Sequence, residues 1–183
     1  MHEGSNEQKT FLMMNKAKNH ADYNAALDNY TAPAQNFVFA SKSGDIAMRI
    51  QGKFAVKWKE QGKFFMDGSD PRMEWKEYIP NAHNPSTLNP ERGFVSSANQ
   101  HPVDPSYPYY VFDNSYEHYR NRRLNNRLRE MENITVDDMK ALQFDDYYLH
   151  AAEALPVMIN LLGSYLPNDE SAKKYMQELK SWD

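Results

Sequence analysis

No cysteine occurs in the 183 residues. Disulfide scaffolds, thiolate zinc sites, iron–sulfur clusters and cysteine nucleophiles are therefore excluded together. Long apolar runs are missing as well, and none approaches the roughly 18–20 residues that a membrane-spanning helix needs. The start, MHEGSNEQKT, does not read as a secretory signal peptide. Nor is there an excess of positive charge: 21 Lys and Arg against 25 Asp and Glu leave a net −4. That balance disfavours a basic nucleic-acid binder and leaves room only for a local basic patch. Glycine is scarce, at 7 residues, so a phosphate-cradling loop has little to be built from. Walker, G-x-G-x-x-G and G-x-S-x-G patterns are all absent.

What the chain does have is rings. Mean hydropathy is low, at −0.85, yet there are 12 Tyr, 9 Phe and 3 Trp. A disordered chain would lack them. The composition predicts a folded core of large amphipathic side chains, with long irregular segments between elements. Eight of the ten prolines, falling between Pro33 and Pro108, point the same way. The length suits one domain of ordinary size, or a piece of a larger one, over residues 1–183.

Periodicity divides the chain into three blocks, an α+β pattern. Residues 5–30 read as helical. Ser5 with Gln8 forms the S-x-x-Q capping pattern, and Asn19 can cap a second helix in which Tyr23, Ala26, Leu27 and Tyr30 recur at helical spacing. Residues 34–100 read as antiparallel β-structure with long loops. QNFVFA and IAMRIQG flank the turn SKSGD as a hairpin. KFAVKWK alternates as a further strand, 67–90 is ordered loop, and RGFVSSAN is a last strand ending at Asn99. Residues 114–182 read as helical: an arginine-rich helix over 116–129, a helix started by Thr135 with Asp137 and Asp138, an apolar helix with Pro156 as a kink or new first turn and Gly163 as its stop, and a final charged helix capped by Asn168.

Few residues suggest chemistry by spacing alone. The six histidines are scattered and none is paired at i,i+3 or i,i+4, so no metal site is expected, and no cofactor. Glu117 beside His118 is a weak acid/base candidate, because adjacent helical side chains point in different directions. Arg120, Arg123 and Arg127 share a helix face and could hold an anion, although such runs are usually solvated faces paired with acids, here Glu117, Glu130 and Glu132. Asn99, in the turn Asn99-Gln100-His101-Pro102, fits two roles. It is a common turn residue, and at a strand end its amide N–H groups can also face an oxyanion. Tyr107, Tyr109, Tyr110 and Tyr116 around Pro108 offer another reading, a non-catalytic module that stacks on a sugar or peptide.

An ordered series of short segments resembles the penicillin amidase (penicillin acylase) family. It begins with Ala34-Gln35-Asn36-Phe37-Val38-Phe39-Ala40 and Gly44-Asp45-Ile46-Ala47. It continues through Glu74-Trp75, Ile79-Pro80, Asn89-Pro90, Gly93-Phe94, Ala98-Asn99 and Tyr107-Pro108. Tyr119-Arg120, Arg123-Leu124, Thr135 with Asp138-Met139 and Leu142-Gln143, and Leu155-Pro156 complete it. The series runs from about residue 9 to about residue 165.

That resemblance implies an N-terminal-nucleophile hydrolase, in which self-cleavage frees a Ser whose own α-amino group acts as base. It implies that this chain is an internal piece of the β chain: an antiparallel sheet with flanking helices, part of an αββα sandwich. The implied activity is hydrolysis of an N-acyl compound, of penicillin or acyl-homoserine-lactone type, to a carboxylic acid and an amine. Asn99 would take the place of the oxyanion-hole Asn, and Arg120 that of an Arg that orients neighbouring groups. The nucleophile, the backbone oxyanion donors and most calcium ligands of the family are expected to be missing here, so the isolated chain is expected to be inactive. Gly4-Ser5-Asn6 imitates a self-cleavage junction, but Ser5 leads into a capped helix and is read as its N-cap. The partners implied are an N-acyl substrate and either the rest of an amidase chain or a second copy meeting an uncovered surface, with neither nucleic acid nor membrane involved. By family, the location would be the bacterial periplasm or outside the cell.

Overall fold

Capping side chains and ring-bearing helix faces account for the first elements. In the computed structural model, which describes residues 6–111, 117–163 and 169–182, helix α1 spans Glu7–Met14 and α2 His20–Leu27. Asn19 begins α2: its side chain accepts from the Asp22 backbone N–H at 2.9 Å, satisfying one of the orphan donors of the first turn. Ser5, the N-cap expected for α1, lies outside the described residues, and Asn6 occupies the cap position. The chain divides into two compact units, Met1–Tyr116 and Glu117–Asp183.

In the first unit, strands β1 (Gln35–Ala40) and β2 (Ile46–Gln51) form the expected antiparallel hairpin. Its turn closes through Ser41 and Asp45, with Gly44 at φ 96°, a left-handed conformation that glycine adopts without steric cost. A third short strand, β3 (Ser86–Leu88), pairs with the other edge of β2. The proline-rich stretch expected to be loop alone therefore supplies an edge strand. Asn89 pins it, accepting from Ile46 N–H at 2.9 Å and donating to Asp45 at 2.8 Å.

Register decides which residues meet α2. Phe37 faces Arg49 across the ladder and Phe39 faces Ala47, so these four share one side of the sheet. Tyr23, Leu27, Tyr30 and Phe37 form the buried cluster, with Met14 and Phe39 packed on it. The Tyr23 hydroxyl donates to the Phe37 carbonyl at 2.8 Å, and burial pushes that phenol up to about 12. Gln51, wholly buried, donates to the Tyr30 carbonyl and accepts from Asn84. Gly52 must be small: a Cβ there would stand 2.7 Å from Ala34 Cβ. On the opposite side of the sheet Asn36 pairs with Ile50 and Val38 with Met48, and Val38 is 60 % exposed.

Two expected strands differ. KFAVKWK makes only an isolated antiparallel bridge, Ala55 with Tyr78, flanked by Val56 N–H to Glu77 O and Ile79 N–H to Phe54 O. Left-handed residues at Glu60 and Gly62 turn the chain away before a ladder can grow. RGFVSSAN is irregular, because its backbone finds no ladder partner among the described residues.

The second unit contains α3 (Tyr119–Glu130), α4 (Val136–Gln143), α5 (Leu149–Gly163) and α6 (Glu170–Lys180). Thr135 and Asp138 build a reciprocal capping box at α4. Pro156 lies inside a continuous α5, where it leaves the Ala152 carbonyl without its usual i+4 donor. Asp169, rather than Asn168, is the observed cap of α6 and accepts from Ser171 N–H at 2.8 Å; Asn168 is outside the described residues. Tyr119 stacks on His150 at 4.4 Å between ring centres, joining α3 to α5.

Candidate functional site

Asn99 sits at a bend in the first unit, exposed, with φ 63°. Left-handed backbone costs most residues energy, and Asn tolerates it better than any other residue but Gly. The bend is closed by the neighbouring Gln100 side chain, which accepts from Ala98 N–H at 2.7 Å and donates to the Ser96 carbonyl at 3.4 Å. Two residues earlier, Ser97 accepts from the amide of Asn36 on β1 at 3.0 Å. The loop carrying Asn99 is thus tied to the sheet side opposite α2. His101 Nδ1 lies 2.8 Å from the Val103 carbonyl and shapes the far limb of the turn.

Arg120 lies in the first turn of α3, exposed, and belongs to the second unit. Its neighbours along the helix are engaged with acids. Arg122 makes a two-point contact with Glu153. Arg123 grips Asp145 through Nε at 3.0 Å and Nη2 at 2.7 Å, while its guanidinium covers the Tyr147 ring at 4.3 Å. Arg127 reaches Glu130 at 3.2 Å and Asp145 at 3.6 Å. These hydrogen bonds hold the Asp145 and Glu153 carboxyls below the ordinary range. Of the acids named from sequence, Glu130 is such a partner. Asp145 and Glu153 are 22 and 31 positions from the arginines they bind, too far for helical spacing to suggest. With Arg123 and Arg127 committed to Asp145, the shared face is an internal ion-pair network more than an anion cradle.

The tyrosines do not form a flat platform. Tyr107 donates to the His83 carbonyl at 2.9 Å, and Tyr109 Oη lies 2.6 Å from His83 Nδ1. The Tyr107 and Tyr109 rings meet edge to face at 63°, and Tyr107, Tyr109 and Tyr110 are all half-buried. Tyr116 is outside the described residues. Tyr107 and Tyr109 are thus engaged with the loop at His83 and with each other. Glu117 and His118 are both exposed just before α3. Among the described residues no group of three or more His, Asp or Glu side chains could hold a metal ion, and no helix is long and apolar enough to cross a membrane.

The family model for penicillin amidase matches residues 1–183. The chain belongs to the penicillin amidase family. Among curated relatives of this family, the penicillin acylase 2 proenzyme of a Pseudomonas species is 26 % identical over 148 residues, covering 81 % of this chain and 19 % of that protein. The acyl-homoserine lactone acylase QuiP of Pseudomonas aeruginosa is 25 % identical over 157 residues, covering 86 % of this chain and 18 % of the relative. A solved thermostable penicillin G acylase from Alcaligenes faecalis superposes with a TM-score of 0.69 at 20 % identity, over 95 % of this chain and 31 % of that one. The α+β arrangement, a three-stranded antiparallel sheet with helices, is thus the fold found in an N-terminal-nucleophile hydrolase. The chain spans about a fifth of the length of the curated relatives it matches.

Proposed function

We propose that these residues serve amide hydrolysis of an N-acyl compound, of penicillin or acyl-homoserine-lactone type, and that Asn99 donates its side-chain N–H to the oxyanion of the tetrahedral intermediate. The observation that carries this reading is the exposed, left-handed Asn99 at a braced bend in a chain matched throughout by the amidase family. A preorganised donor of this kind is worth about 2.7–4 kcal/mol, or 10²–10³ in kcat. Arg120 acts as a positioning residue, its charge and donors orienting groups around the reacting amide. The test of that role is kinetic: Arg120→Ala lowers kcat with little change in KM, and Arg120→Lys recovers part of the loss. A matched fall in stability with unchanged kcat would make Arg120 structural.

We infer also that the 183 residues by themselves do not turn over, since Asn99 and Arg120 stabilise and orient charge but attack nothing. Intact mass before and after a serine-directed sulfonyl fluoride decides this. The expected result is an unchanged mass with residues 1–4 retained. Loss of the first four residues with one adduct on Ser5 would overturn it and make the chain a self-processed amidase. The remaining parts of an amidase fold, or a second copy when the chain is isolated, are the proposed cover for the apolar side chains of α5.

A further inference from the structure

A cavity of about 370 Å³ opens in the first unit, within the size range of small-molecule sites. Phe54, Trp75 and Ile79 supply its apolar wall. Ile79 is 7 % exposed and Trp75 57 %, so the cavity runs from a buried floor to an open mouth. Two polar side chains in its lining are left unsatisfied. Gln61, only 3 % exposed, spends its Nε2 on the Met73 carbonyl at 3.1 Å, and its Oε1 has no partner. The Tyr110 hydroxyl is buried and also has none. Such atoms are costly to bury and rare in native structures.

Gln61 is held there by its backbone. Glu60 and Gly62, on either side, adopt φ 69° and 85°, and the Gln61 N–H closes a turn on the Trp58 carbonyl at 3.1 Å. Lys53 and Lys57 also line the cavity, their ammonium groups 4.3 Å from the Tyr78 ring and 5.1 Å from the Trp75 ring. The described residues lining it include these two cations and no acid.

We propose that this cavity binds an aromatic carboxylate that carries an N–H donor. The N–H satisfies Gln61 Oε1, the ring lies against Trp75 and Phe54, and the carboxylate takes the lysine charge and the Tyr110 O–H. The site is independent of Asn99 and of the amidase reading.

The probe is indole-3-acetate, titrated calorimetrically into the 183-residue chain. Two analogues separate the contributions: naphthalene-1-acetate keeps ring and charge but lacks the N–H, and tryptamine keeps the N–H but reverses the charge. The expected result is binding of indole-3-acetate, at least tenfold weaker binding of naphthalene-1-acetate, and none of tryptamine. Tyr110→Phe lowers affinity several-fold while leaving the melting temperature of the free protein unchanged or higher, because the lost hydroxyl had no partner. Gln61→Leu abolishes the preference for indole over naphthalene. Absence of indole-3-acetate binding at millimolar concentration, equal binding of both carboxylates, or a marked fall in melting temperature for Tyr110→Phe would each overturn the proposal.

Discussion

In Met1–Tyr116 the rings and Leu27 of α2 disappear into a sheet face, whereas in Glu117–Asp183 the most apolar helix, α5, has no buried residue. Val157, Met158 and Leu161 of α5 are each more than half exposed. In the second unit ion pairs stand beside the Tyr119–His150 stack and the buried Leu128 and Met176: α3 is tied to α5 through Arg122 and Glu153, and to the segment before α5 through Arg123 and Asp145. The first unit therefore rests more on desolvation and close packing, and the second more on contacts that water and salt weaken. A core of the first kind tolerates salt and acid but not a missing methyl group. A network of the second kind behaves the other way round.

The largest effect should come from the packed side. Leu27→Ala removes the side chain at the centre of the cluster, at 0 % exposure, and costs about 2–5 kcal/mol by lost burial and cavity formation. Denaturant unfolding with peptide-resolved hydrogen exchange should show the loss of protection in residues 20–51 and leave α3–α6 little changed. Equal loss in both units would break the comparison. Asp145→Asn is the corresponding cut in the second unit, taking the carboxylate from Arg123 and Arg127. It should cost about 1–3 kcal/mol, localise to α3 and α5, and shrink as salt is raised.

Titration should separate the units at opposite ends of the pH scale. The carboxyls of Asp145 and Glu153 are held low by their arginines, so their stabilisation is complete above about pH 5 and is lost as pH falls below that through their folded values. Tyr23 has the reverse sign. Its phenol is raised to about 12 by burial, so its contribution is complete below about pH 10 and disappears as pH climbs from there through 12. Acid should loosen the contacts of α3 with Glu153 and Asp145, and alkali should loosen α2 from β1. Tyr23→Phe should shrink the alkaline step, leaving the part due to Tyr107, whose phenol burial also raises, and should leave the acid step unchanged. The smallest effect on stability, within about 0.5 kcal/mol, is expected for Val157→Lys on exposed α5. That substitution should nevertheless abolish concentration-dependent self-association of the chain in sedimentation velocity. Strict monomers of the unaltered protein at high concentration would remove the proposed apolar contact.

Helices and the hairpin were legible because their signals are local. The 3–4 spacing of Tyr23, Leu27 and Tyr30 names the face that is buried, Thr135 and Asp138 name the α4 cap, and SKSGD names the hairpin turn. β3 was hidden in a proline-rich stretch, since three residues carry no period and their pairing depends on Asn89 reaching Ile46, 43 positions away. KFAVKWK misled for the complementary reason: alternation promises a strand only where a partner backbone is available. At the candidate site, the turn at Asn99 was readable from Asn-Gln-His-Pro, but its left-handed backbone was not. The arginine run was readable too, while its partners Asp145 and Glu153 are set by tertiary packing. Gln61 gave no signal, and Tyr110 stood out only as one of a group of rings, because an unsatisfied atom is defined only by the cavity around it.

Asn99 is left-handed in its backbone and is proposed to donate from its amide, and Asn99→Gly separates the two. Glycine keeps the left-handed bend and deletes the side-chain amide. In the amidase-active protein that carries these residues, Asn99→Gly should lower kcat on an N-acyl amide by about 10²–10³ with KM nearly unchanged. An Asn99→Gly protein with undiminished kcat would show that the residue is there for the turn alone, and the oxyanion assignment would fall.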